Sequence, residues 1–127
     1  MIYLDSSVVL AQVFAESRTM PAAFWDEQLV SSRLLEYEVW NRIHARGSAH
    51  SQEMARAVFD RVGLFELDRR CLARALEPFP VAVRTLDSLH LATIEFLRAR
   101  QNDVALASFD ERMLVAARAL GIPVFQS

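Results

Sequence analysis

No lysine occurs anywhere in the 127 residues, and all fourteen basic side chains are arginine. That absence removes the lysine of a phosphate-binding loop and every form of lysine Schiff-base chemistry. It also removes the lysine that a phosphoacceptor signalling domain sets beside its phosphoryl group. Cysteine is nearly missing as well: Cys71 stands alone, so no intrachain disulfide forms and no cysteine cage holds zinc. No apolar run approaches the roughly 20 residues of a membrane span, and no basic stretch leads into an apolar signal core. A soluble, cytoplasmic chain with no membrane association is expected. Nor is there a basic excess. A net charge of −2 and a pI of 5.9 argue against nucleic-acid binding by charge alone. Any metal site must therefore be built from oxygen ligands.

What is present is a well-stocked core. With 53% of residues hydrophobic, one domain spanning 1–127 is expected. Ile2-Tyr3-Leu4 and Val104-Ala105-Leu106-Ala107 read as short buried strands, and so does the stretch from Leu29 to Ser32. Leu64 to Asp68 alternates as a strand does, and Pro123-Val124-Phe125 reads as a last short one. Helical spacing follows Ser6-Ser7, runs from about Arg33 to Arg46, from Ser51 to Val62, from Arg69 to Leu76, and from Leu86 to about Arg100. Met20 to Glu27 suggests a further helix with Pro21 in its first turn. Thr85 reads as an N-cap, Ser108 with Glu111 as a capping box, and Gly121 as a helix stop. Strands alternating with helices give an α/β class with a central parallel sheet of about four to five strands flanked by helices.

Acidic residues fall at the joints of this pattern. Asp5 closes the first strand, Asp110 opens a helix just past the strand near Val104, and Asp87 lies in a first helical turn. In parallel sheets the carboxyl ends of the strands share one edge, with a crevice outside it. Several carboxylates gathered there cannot all stay ionised without a counter-charge, for which a divalent metal is suited. Each acid also has a plainer role: Asp87 and Asp110 complement helix dipoles, and Glu38 can pair with Arg42 one turn away. His90, on the same face as Asp87, suits a core or hydrogen-bonding role.

The segments Ile2 to Val8, Ser32 to Glu38, Arg84 to Ala92, and Ser108 to Ile122 together resemble the PIN-domain ribonucleases, particularly the VapC toxins of toxin–antitoxin pairs. Order and spacing agree along essentially the whole chain, with Ser6 and Ser108 where threonine is common. The resemblance implies a PIN fold, Mg²⁺- or Mn²⁺-dependent endonucleolytic cleavage of RNA, and inhibition by a cognate VapB-type antitoxin. It also implies metal-holding or catalytic roles for Asp5, Glu38, Asp87 and Asp110. Glu36 competes with Glu38 for the second position. Two residues apart on a helix is about 200°, so both cannot enter one pocket, and spacing from Ser32 in the resembling motif favours Glu38.

Metal-activated water is then expected to attack phosphorus, leaving 5′-phosphate and 3′-hydroxyl ends. Ser6 and Ser108 are candidates to support the acids or touch phosphate, and Arg84 and Arg112 to meet RNA. An RNA-processing enzyme with no antitoxin, or an inactive binding module, are the alternatives. Val9, Val13, Phe14, Phe24, Trp25 and Trp40 exceed what one helical face needs; the surplus suits an antitoxin groove or a homodimer surface.

Overall fold

In the computed structural model, which describes residues 1–101 and 103–126, strands and helices alternate along the chain. Strand β1 is Ile2–Leu4, followed by α1, Ser6–Val13; β2 is Leu29–Ser32, followed by α2, Leu34–Arg46. Then come α3, Ala49–Phe59; β3, Val62–Phe65; α4, Arg69–Ala75; and α5, Thr85–Gln101. Strand β4, Ala105–Ala107, and α6, Glu111–Ala119, complete the order. All pairings are parallel, and the sheet runs β3-β2-β1-β4.

Alternation along the strands divides the core in two. Ile2, Leu4, Leu29 and Ala107 pack with Val8, Val9, Leu35, Val39 and Val58 from α1, α2 and α3. Tyr3, Val30 and Leu106 face the other way, against Leu91, Ile94 and Leu97 of α5 and Met113 and Ala117 of α6. With both faces covered, short continuous apolar strands are what a parallel sheet requires. Tyr3 lies in register with Val30 on one side and Leu106 on the other, so β1, like β2, is an inner strand. Among the described residues no helix is long and apolar enough to cross a membrane.

Several local expectations are corrected. Met20 to Glu27 yields only a 3₁₀ helix, Ala22–Asp26, preceded by Pro21. The helix expected to reach Val62 ends at Phe59, because Val62 pairs with Leu29 in the sheet. Asp68 does not close the third strand; its side chain accepts from the Cys71 N–H at 3.0 Å and caps α4. Thr85 is the first helical residue of α5 and not its cap. Ser6 and Ser7 lie inside α1, where Asp5 holds the N-cap position. Ser108 does not cap α6; Asp110 does, accepting from Arg112 N–H. Pro123 to Phe125 contributes a single parallel bridge, Leu106 to Val124. Gly121, at φ +71°, does end α6: its N–H reaches Arg118 C=O and the N–H of Ile122 reaches Ala117 C=O, a left-handed helix stop. Of the surplus apolar residues, Val9, Val13 and Phe24 are buried, while Phe14, Trp25 and Trp40 pack partly buried against the first core.

Candidate functional site

The chain builds outward from β1 through β2 to β3, then returns to place β4 on the other side of β1. Between β1 and β4 the order reverses, and a crevice opens at the carboxyl ends of such a pair. The turns after β1 and β4 carry Asp5 and Ser108 to that spot. Helix α5 leads into β4 and so runs against the strands, which brings its first turn, with Asp87, to the same edge. Helix α2 leaves β2 there with Glu38 one turn in. The result is an open cleft of about 430 Å³ lined by Asp5, Glu38, Asp87 and Asp110 together with Ser6, Arg42 and Arg84. Four carboxylates far apart in the chain share it.

Asp5 is 4% exposed, yet its side chain makes no capping bond to α1. An aspartate in that position ordinarily accepts from the helix's own N–H groups. Here its Oδ2 accepts instead from two hydroxyls, Ser7 Oγ at 2.6 Å and Ser108 Oγ at 2.7 Å. Ser7 Oγ in turn accepts from Phe109 N–H at 2.9 Å, and Ser108 Oγ from Asp110 N–H at 3.0 Å. The two turns flanking the switch point are thus stitched together around one carboxylate oxygen. Nothing in the sequence singles out Ser7 for this role. Among the described residues, its neighbour Ser6 reaches only Glu38 Oε2, at 3.4 Å.

Glu38 and Glu36 part company as helix geometry requires. Glu36 ion-pairs with Arg33 at 3.1 Å and lines a separate surface pocket with Tyr37 and Trp40. Glu38 lines the cleft, and its partner is His90 and not Arg42: Nε2 lies 2.6 Å from Oε1. His90 is fully buried, and its Nδ1 meets Tyr3 Oη at 2.7 Å.

Asp87 and Asp110 are bridged by one cation, with Arg84 Nη2 3.5 Å from Asp110 Oδ2 and Arg84 Nε 3.9 Å from Asp87 Oδ2. The bridge is incomplete compensation. Burial first, then the Asp5 and Asp110 carboxylates, push the Asp87 carboxyl above the usual aspartate range against the opposing pull of Arg84. Arg112 does not line this cleft; with Arg84, Asp87 and Met113 it lines an adjoining pocket of about 340 Å³.

Among the described residues no three acidic or imidazole side chains close on one point as a ready-made cage. The donor set nonetheless suits a hard divalent cation: carboxylate oxygens around one cleft, Asp5 Oδ2 fixed by two hydroxyls, and Asp87 strained by like charge that such a cation relieves.

The PIN domain model matches residues 2–119. Similar proteins include Ribonuclease VapC46 of Mycobacterium tuberculosis, 31% identical over 97% of this chain and 95% of the relative. Ribonuclease VapC35 of the same organism is 30% identical over 98% and 95%, and Ribonuclease VapC47 is 25% identical over 95% and 93%. A parallel α/β fold with its acids at the switch point, matched over nearly its whole length, belongs to the PIN-domain family.

Proposed function

We propose that this chain is an endoribonuclease that requires Mg²⁺ or Mn²⁺, and the toxin of a VapBC-type toxin–antitoxin pair. One observation carries the nuclease assignment: Asp5, Glu38, Asp87 and Asp110, from four different elements, line a single cleft at the β1–β4 switch point. Relatives that bear the name ribonuclease support it.

These carboxylates would hold a divalent cation, which when bound would supply neutralising charge for the phosphate and a more acidic water as nucleophile. Asp5 and Asp87 would serve chiefly as its ligands, and Glu38 and Asp110 would hold a second ion or orient the water. Ser108 and Ser7 keep Asp5 in one rotamer, and the arginines at the cleft rim, Arg42 and Arg84, meet the RNA backbone with Arg112 beyond them. With a net charge of −2, phosphate affinity rests on these local groups and the bound cation. The same proposal takes residues 1–127 as one functional domain, acting in the cytoplasm as a homodimer restrained by a VapB-type antitoxin.

The test is purified protein incubated with total RNA, with Mg²⁺, with Mn²⁺ and with chelator, beside Asp5→Ala. Cleavage is expected only with metal, absent in the variant, and with 5′-phosphate and 3′-hydroxyl ends. Undiminished cleavage by Asp5→Ala overturns the site, and 2′,3′-cyclic phosphate ends overturn attack by water. For the toxin role, a short neighbouring reading frame encoding a DNA-binding segment and an amphipathic tail is expected to relieve growth arrest on co-expression.

A further inference from the structure

Of the four acids of the cleft, Glu38 reaches it from past the first turn of a helix, on a side chain with three rotatable bonds. Asp5 is pinned by two hydroxyls and Asp110 by its cap, but the close restraint on Glu38 is His90, 52 residues away in sequence. Behind His90 stands Tyr3, on β1, one of the two strands with hydrogen-bonded neighbours on both sides. Both rings are fully buried, and the contacts of 2.7 Å and 2.6 Å form a continuous chain from the centre of the sheet to the cleft wall.

We propose that Tyr3 and His90 are positioning residues for Glu38, pinning one oxygen of its carboxylate so that the group is presented to the cleft in one orientation for a divalent cation. The inference rests on the metal-dependent nuclease assignment above and deepens it. Nε2 and Oε1 at 2.6 Å need a proton between them. The arrangement that satisfies both contacts with a neutral ring has Tyr3 O–H donating to Nδ1 and Nε2–H donating to the carboxylate. The phenol thereby fixes the tautomer of the ring, and the ring fixes the rotamer of the acid. Carboxylates that bind metal are held in this way by partners in the layer behind them. Helix α5 consequently serves the site twice: Asp87 lines the cleft directly, and His90 one turn later acts through Glu38.

The experiment measures Mn²⁺ affinity by the electron paramagnetic resonance of free Mn²⁺, on wild type, Tyr3→Phe, His90→Leu and His90→Gln, with folding checked by circular dichroism. His90→Leu is expected to weaken Mn²⁺ binding by about 10–100-fold. His90→Gln, whose amide nitrogen reaches the place of Nε2, is expected to stay within a few-fold of wild type, and Tyr3→Phe to fall between. Nitrogen-15 NMR of the imidazole in the unaltered protein is expected to show the Nε2–H tautomer. A ring whose sole proton is on Nδ1 overturns the proposal whatever the variants do. Folded His90→Leu binding Mn²⁺ as tightly as wild type overturns it while leaving the nuclease assignment intact. A wild-type protein that neither binds Mn²⁺ nor cuts RNA overturns both.

Discussion

Asp87 carries the least comfortable charge in the cleft, since burial and two neighbouring carboxylates raise its pKa. A raised folded value means that the protonated form is favoured by folding. Its contribution is then complete below the ordinary aspartate range and is lost as pH climbs through the raised value. In chelator, Asp87→Asn is expected to melt a few degrees above wild type at neutral pH, with the difference vanishing below about pH 4. Melting curves across that range check it; equal or lower melting of the variant at neutral pH refutes the crowding. The serines make a second contrast. Ser108→Ala removes a hydrogen bond to a buried carboxylate and is expected to cost about 1.5–3 kcal/mol in urea unfolding. Ser6→Ala, which loses only a 3.4 Å contact, is expected to be nearly neutral. From sequence, Asp5 stands out because it closes an apolar strand. That Ser7 and not Ser6 serves it is illegible there, because the choice depends on where the turn after β4 arrives.

At the scale of elements, the strands and long helices followed from apolar runs and their spacing, while the ends depended on which side chain reached a free N–H first. Asp110 and not Ser108 caps α6 because the Ser108 oxygen already accepts from Asp110 N–H, one residue short of the helix, while its O–H goes to Asp5. Val62 left its helix because a strand partner was available. Two glycines set helix exits by different means. Gly121 sits at φ +71°, and a Cβ added there would meet nothing within 4 Å. Gly121→Ala is therefore expected to cost about 1–2 kcal/mol from backbone strain alone, and Gly121→Asn less. At Gly47 a Cβ meets Ile43 O at 2.7 Å. Gly47→Ala is expected to lower the melting temperature further than Gly121→Ala, and a smaller loss contradicts the steric account.

For the whole molecule, a cation that binds only the folded cleft must stabilise the fold by mass action. At a hundredfold excess over its Kd the gain is about 2.7 kcal/mol. For a chain of this size that is a rise of roughly 10 °C in melting temperature. Mg²⁺ or Mn²⁺ is expected to produce such a rise in wild type, and Asp5→Asn to lose most of it; an equal rise in both places the cation elsewhere.

The α/β class, the parallel sheet and the order of its parts were written in the sequence, because apolar periodicity and acids at strand ends are local properties. So was the exclusion of a cysteine cage for metal, since Cys71 is alone. What only tertiary structure decided was who meets whom: Tyr3 with His90, His90 with Glu38, Ser108 with Asp5, and Arg84 between Asp87 and Asp110. Most of these contacts join residues tens of positions apart or more, and their partners are chosen by the reversal of strand order between β1 and β4, which no local pattern encodes.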